Sequence, residues 1–309
     1  MRNTFIKELI SQSEKNKDIY LITSDLGFRS FEPFKEKFPD RFINVGVSEN
    51  NMIGIGAGMA LQGKKVFVYS ILPFLIFRSL EQIRNIICHN NLDVKLIGGG
   101  GGFSYSVQGI SHNTSEDLSI IRSLPNINVF NPGSKIETEL ALSIIFNSTG
   151  PSFIRLGKAP TKDYLQKKPT CNIGNGLLIK DGKDLTIFCC GNITQVVVET
   201  AKELENHNIS AKVISLFCMK PINKEYVTSN ISSKKIVTIE EHSEIGGIGS
   251  AIADVLCESN IKNFVLKKIA LKDKCHNEIG SQDYLRKING LDKEQILAKI
   301  KKLVKNNDW

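Results

Sequence analysis

The side chains of this sequence that could do chemistry are one carboxylate, one histidine, two arginines and a pair of phenylalanines, with a second acid nearby. The carboxylate is Glu49, which ends the stretch Phe42-Ile-Asn-Val-Gly-Val-Ser-Glu49 just before a run rich in small residues, 50–61. An acid at a strand-to-helix junction ordinarily serves the helix, whose N-terminus favours negative charge. Phe74 and Phe77 follow three apart, a spacing that puts two rings on one helical face, where core burial is ordinary. Arg78 is a candidate contact for an anion. Asp25 closes an apolar run, where a turn residue is ordinary. His112 stands in Gly109-Ile-Ser-His112-Asn, and its neutral-range titration suits proton transfer. Arg155, at the end of another apolar run, could hold a phosphate or carboxylate by two parallel bonds.

Positioning these groups requires alternating strands and helices. Residues 18–24, 42–46, 66–70, 94–98, 128–131 and 153–156 read as short buried strands. Between them, 50–61, 75–90, 116–123 and 135–146 read as helices, which implies a mostly parallel sheet covered on both faces. The pattern lapses between 157 and 183, where a polar stretch with two prolines reads as a linker. It resumes with strands at 185–190, 212–217, 236–240 and 264–269 and helices at 194–206, 247–257 and 293–304. The expected fold is therefore α/β in two domains, residues 1–160 and 184–309, joined over 161–183. A length of 309 residues and 41% hydrophobic content suit two ordinary cores.

Several function classes are excluded. Gly54-Ile-Gly56-Ala-Gly58 lacks the third-glycine spacing of a dinucleotide fingerprint, and no Lys-Ser or Lys-Thr follows the run Gly98 to Gly102, so that run is not a phosphate loop. The run reads as a pliable strand-end loop, where open α/β sheets bind ligands. The net charge is +8, but the lysines are interleaved with acids and form no basic block flanked by aromatics. Nucleic acid is therefore not the expected partner, and an anionic cofactor or substrate is. Seven cysteines without a CxxC pair argue against a disulfide framework. The five scattered histidines lie at no ligand spacing from a cysteine, so no metal site is expected within the chain. No stretch approaches the roughly 18 apolar residues of a membrane span, and the first residues have no signal-peptide core. A soluble, cytoplasmic chain is expected.

The order of motifs resembles the transketolase family, especially the subunit that carries the pyrimidine-binding and C-terminal domains when the enzyme is encoded as two chains. The matching stretches begin with Gly46-Val-Ser-Glu49-Asn-Asn-Met-Ile-Gly-Ile-Gly-Ala-Gly-Met-Ala-Leu61, Tyr69-Ser-Ile-Leu-Pro-Phe74-Leu-Ile-Phe77-Arg78 and Glu81-Gln-Ile-Arg-Asn85. Gly109-Ile-Ser-His112-Asn, Leu124-Pro-Asn-Ile and Phe153-Ile-Arg155-Leu-Gly-Lys-Ala-Pro160 follow, then Glu240-Glu-His242-Ser-Glu-Ile-Gly-Gly-Ile-Gly-Ser250-Ala in the second domain. The resemblance covers nearly the whole chain. It implies thiamine diphosphate as cofactor and transfer of a two-carbon ketol unit from a ketose donor to an aldehyde acceptor. It places Glu49 at the carboxylate that hydrogen-bonds N1′ of the aminopyrimidine and so prepares the coenzyme for deprotonation. Phe74 and Phe77 match the wall against which that ring packs, with Leu80 in place of the family's third aromatic. Asp25 matches an acid near the cofactor, Arg78 is a candidate cofactor contact, and His112 matches a histidine that contacts substrate hydroxyls or shuttles protons. Arg155 is the candidate for the substrate's anionic group, and His242 is expected to be structural or at an interface.

Two departures shape this reading. Counting back from His112 without gaps, a substrate-contacting histidine of ordinary sugar-phosphate transketolases falls on Gly100, and an acid that reads a donor hydroxyl falls on Gln108. A specialised sugar is therefore expected. The sequence also contains no Gly-Asp-Gly, the motif with which the family, using a following Asn, binds diphosphate and Mg²⁺. This implies a partner, an N-terminal transketolase-like chain that supplies the Mg²⁺ ligands, in an α2β2 heterotetramer. The rival readings are the β-subunit of a 2-oxoacid dehydrogenase, which shares the two-domain plan and the Glu, and a non-catalytic scaffold subunit. Deoxyxylulose-phosphate synthase, a single long chain, fits less well.

Overall fold

The computed structural model describes residues 1–158, 163–259 and 261–305. In β1 (Ile19–Thr23) successive side chains face opposite ways. Leu21 joins a core with Phe34 and Phe67, and Ile22 joins one with Met52, Ile53 and Val68. With β2 (Phe42–Asn44), β3 (Lys65–Ile71), β4 (Val94–Gly99), β5 (Asn128–Phe130) and β6 (Ser152–Leu156), β1 forms a parallel sheet in the order β5-β6-β4-β3-β1-β2. Both faces are covered, as the near-continuous apolar strands require.

The second sheet contains β7 (Leu177–Lys180), β8 (Leu185–Cys189) and β9 (Ala211–Ser215). After β10 (Cys218–Lys220), it is completed by β11 (Lys235–Ser243) and β12 (Val265–Leu271). Its order is β12-β11-β8-β9-β7, with only β7 antiparallel to its neighbour.

The order of the first sheet creates a crevice at one crossover. The chain leaves β1 for β2 at the sheet edge, then returns past β1 to form β3 on its other side. The direction of winding changes there, and the crevice beyond the carboxyl ends of β1 and β3 is where such sheets bind ligands. In the register, Thr23 lies opposite both Asn44 and Tyr69, so β1 and β2 end level while β3 continues two residues further, to Ile71.

The structure departs from the sequence reading in four places. Leu177–Lys180, inside the expected linker, is a strand, and the expected boundary at 160 falls on residues outside those described. Cys218–Lys220, from the second half of the chain, pairs antiparallel with β5, so the two domains share a sheet edge. The single helix expected over 75–90 is instead a helix Leu72–Phe77 with Pro73 in its first turn, a break at Arg78 and Ser79, a turn Leu80–Gln82 and a π-helical stretch Ile83–Cys88. Proline presets the backbone angle of a first helical turn, which explains the early start. Helices Arg2–Lys15, Glu32–Lys37, Lys224–Ser229 and Gln282–Ile288 add to those read from periodicity. All seven cysteines are free thiols, and among the described residues no helix is long and apolar enough to cross a membrane.

Candidate active site

Glu49 opens the helix Glu49–Leu61 and is 3% exposed. Its Oε1 accepts from the hydroxyls of Ser24, just past β1, at 3.3 Å and Ser70, in β3, at 3.5 Å. The carboxylate thus sits at the point where the winding reverses. Gly56 lets its helix approach the sheet, since a β-carbon there would already stand 3.2 Å from Val68.

Glu49 Oε2 pairs with Arg78 Nη1 at 2.8 Å. The Arg78 guanidinium lies over the Phe74 ring, 4.3 Å from its centre, and its side chain is about half exposed. The break after Phe77 releases Arg78 from the helix to make this turn. Phe74 meets the imidazole of His112 edge-on, 5.0 Å between ring centres. Four residues named from the sequence therefore form one continuous contact chain. Burial, and then the charge of Arg78, push the His112 pKa below its ordinary value, so the imidazole is mostly neutral at pH 7. Its Nδ1 lies 3.0 Å from the Ser111 hydroxyl.

Phe77 is 45% exposed and lines an open groove with Asn50, Leu80, Glu81 and Arg84, so core burial does not account for it. Asp25, exposed beside Ser24, adopts a left-handed backbone (φ 55°) and exchanges two hydrogen bonds with Asn44, at 2.9 and 3.1 Å. Gln108 is exposed on the loop that carries His112.

Two expectations fail on geometry. Arg155 does reach a strand end, but its side chain is turned inward and is 4% exposed. Its Nη2 donates to Asp117 Oδ1 at 2.9 Å and to Thr114 O at 3.2 Å, and Nη1 reaches Glu241 O at 3.4 Å. Nε also lies 2.9 Å from Asp117 Oδ2, an ion-pair contact without hydrogen-bond alignment. An arginine committed to a buried carboxylate has no fork left for a substrate anion. The run Gly98 to Gly102 is likewise buried rather than a pliable ligand loop. A β-carbon on Gly100 would stand 2.6 Å from the Tyr105 ring and one on Gly101 would stand 2.1 Å from Arg155 Nε, so these glycines make room for neighbouring side chains.

Four further residues stand at or beside the site. Ser24 and Ser70 carried a weak signal, as polar residues closing apolar runs. Tyr105 and Lys158, whose ammonium lies 4.7 Å over the Tyr105 ring, carried none. His242 is fully buried, with Nδ1 2.9 Å from Ser243 O and Nε2 accepting from Ser119 N, a structural placement.

Among the described residues no three His, Cys, Asp or Glu side chains converge as a metal would need. The donor set does fit a flat, basic heteroaromatic ring. The guanidinium of Arg78 is itself planar, offers an N–H to Glu49 and lays its face on Phe74, and an aminopyrimidine offers the same two features.

Comparison with known proteins matches residues 1–162 to the transketolase pyrimidine-binding domain and 174–296 to the transketolase C-terminal domain. A putative transketolase C-terminal section of Methanocaldococcus jannaschii is 34% identical over 303 residues, covering 97% of this chain and 95% of that one. A 6-deoxy-6-sulfo-D-fructose transketolase subunit of Clostridium sp. MSTE9 is 32% identical, covering 96% and 92%. A solved split-gene transketolase, an inactive β4 tetramer, superposes with a TM-score of 0.86 at 32% identity, covering 98% and 97%.

Proposed function

The chain belongs to the transketolase family, and from that premise we propose that it is the pyrimidine-binding subunit of a two-chain, thiamine-diphosphate-dependent transketolase. The reaction assigned is transfer of a two-carbon ketol unit from a ketose to an aldehyde, in the cytoplasm. The observation that carries the reading is Glu49: a buried carboxylate at the reversal of winding, with an aromatic face and a displaceable cation at its mouth.

When bound, thiamine diphosphate supplies the nucleophilic carbon that takes up and releases the ketol unit. Glu49 holds a proton at N1′ of the aminopyrimidine, supported by the Ser24 and Ser70 hydroxyls. Phe74 and Phe77 offer the ring an apolar wall, and Arg78 withdraws from Glu49 and Phe74 as the ring enters. His112, mostly neutral, accepts a proton or a hydrogen bond from a donor hydroxyl. Gln108 shares its loop and faces the same substrate. Asp25 lies at the edge of the crevice, where the partner subunit meets it. Gly100 leaves the space of a larger side chain to Tyr105, and Lys158 above that ring replaces Arg155 as the candidate for the substrate's anionic group.

The diphosphate and Mg²⁺ are assigned to an N-terminal transketolase-like partner, in an α2β2 assembly with the site between unlike chains. The missing Gly-Asp-Gly supports this, as does the relative whose β4 tetramer is inactive. The departures at Gly100 and Gln108 support a specialised sugar, in line with a relative named for a sulfonated ketose.

The decisive test is Glu49→Ala in the complex with the partner chain. Ketol transfer should fall by about 10²–10⁴-fold, and unchanged activity would make Glu49 a bystander. Titration calorimetry of the lone chain with thiamine diphosphate and Mg²⁺ should give negligible heat, whereas tight binding would refute the divided site. Ordinary ketose phosphates should be poor donors, and turnover like that of a housekeeping transketolase would remove the specialised-sugar assignment.

A further inference from the structure

Among the described residues, the C-terminal domain contributes no side chain to the contact chain around Glu49, yet it grips the loop that carries Tyr105, Gln108 and His112. That loop is closed at its base, beyond the end of β4, by an isolated antiparallel bridge between Gly102 and Thr114. Glu241, in β11 of the second sheet, is 2% exposed and reaches across to the base of the loop. Its Oε1 accepts the backbone N–H of Phe103 at 2.7 Å and the side-chain amide of Gln282 at 2.8 Å, and its Oε2 pairs with Arg286 Nε at 2.5 Å. Gly102 is what admits the carboxylate, because a β-carbon there would stand 2.2 Å from Glu241 Oε1, with φ at +56°.

Two more ties run the same way. The Phe103 ring is packed into the second domain's core with Ile187, Ile239 and Leu271. Further along the loop, the Ser106 hydroxyl donates to Gly280 O at 2.7 Å.

Burying a carboxylate is unfavourable unless it is paired and hydrogen-bonded, and apolar packing alone would hold two domains together. Here one oxygen of the buried acid, also held by Gln282 from its own domain, accepts a backbone amide of the other domain, the amide at which the loop begins. We propose that Glu241 is a positioning residue for substrate, fixing the entry of the 102–114 loop and so setting where it presents Tyr105, Gln108 and His112, the last against Phe74. The inference rests on the assignment of ketol transfer to this site. It gives the C-terminal domain a part in the reaction that it plays without touching coenzyme or substrate. Glu49, Phe74 and Arg78 lie on other elements, and the loop meets them through the contact of His112 with Phe74.

The test uses the full chain, and its complex with the diphosphate-binding partner copurified through a tag on this chain. In the full chain, Glu241→Ala should speed amide hydrogen exchange at 103–112 by about 100-fold or more while the helix Glu49–Leu61 exchanges as in wild type. Glu241→Gln keeps an acceptor for the Phe103 amide and should keep the protection. In the complex, with hydroxypyruvate as ketol donor and glycolaldehyde as acceptor, Glu241→Ala should raise the donor KM about tenfold or more. The coenzyme Kd should stay within about twofold of wild type, and Glu241→Gln should restore most of the donor KM. Ser106→Ala, a milder change that removes the second tie, should move KM the same way by about threefold. Unchanged exchange at 103–112 overturns the proposal, and so do donor KM and coenzyme Kd rising together, which would mark general loosening. A wild-type complex that transfers no ketol unit would overturn the assigned reaction instead, and the exchange measurement would then decide the anchoring by itself.

Discussion

Replacing Arg78 by methionine should open the coenzyme site of the free chain, because the guanidinium stands on the two surfaces that an aminopyrimidine needs. A charge-assisted hydrogen bond contributes about 1.5–3 kcal/mol when well shielded. The Arg78 side chain is 48% exposed, however, and solvent screening brings its pair with Glu49 to about 1 kcal/mol. Stacking on Phe74 adds about 0.5–1 kcal/mol. A ring that displaces both contacts therefore works against about 2 kcal/mol, or roughly 30-fold in affinity. The assay is a titration of 4-amino-5-hydroxymethyl-2-methylpyrimidine, the coenzyme's ring without its phosphate tail, followed by ligand-observed NMR. Arg78→Met should bind it roughly 10- to 30-fold more tightly than wild type, and adding Glu49→Gln should abolish the gain. The same variant should be less stable without ligand, because Glu49 is left buried beside two hydroxyls and no cation. Equal or weaker binding by Arg78→Met would refute the claim that the guanidinium occupies the ring's place.

Other consequences can be measured separately. The His112 imidazole, followed by proton NMR, should titrate below its ordinary value and move upward in Arg78→Met, because the neighbouring positive charge is gone. Since that pKa is lowered on folding, its stability contribution is complete above about 6.5 and is lost as pH falls through the folded value. Urea unfolding should therefore show a weaker acid limb in His112→Gln, and an unchanged limb would contradict the assignment. Arg155→Ala strands the buried Asp117 and should cost about 3–5 kcal/mol in urea unfolding, whereas a loss below about 1 kcal/mol would mean that the inward pairing matters little. Lys158→Ala should raise the KM of an anionic sugar about tenfold and leave that of an uncharged ketose within about twofold, and equal effects on both would remove Lys158 from the anion site.

Much of this protein is legible in the sequence because much of it is local. Short apolar runs and amphipathic stretches specify β1, β3, β4, β8 and the helices between them, since each pattern needs only its own neighbours. Glu49 is legible for the same reason, as an acid between a strand and a small-residue helix. What surrounds Glu49 is not local. Ser24 and Ser70 lie 25 and 21 residues away in the chain, and they meet the carboxylate only because the chain winds out to β2 and back past β1. Arg78 turns onto Phe74 through a break that no periodicity announces. Arg155 was found at its strand end, but its direction was decided by Asp117 and by the room left at Gly101. β10 follows directly on the run 212–217 and β7 lies within the lapse of pattern at 157–183, so neither stands out in the sequence, and they form because existing strands leave backbone groups at an edge to be paired. Composition and periodicity thus determined the elements and the presence of a carboxylate, whereas register, crossover direction and unfilled space decided which side chains face it.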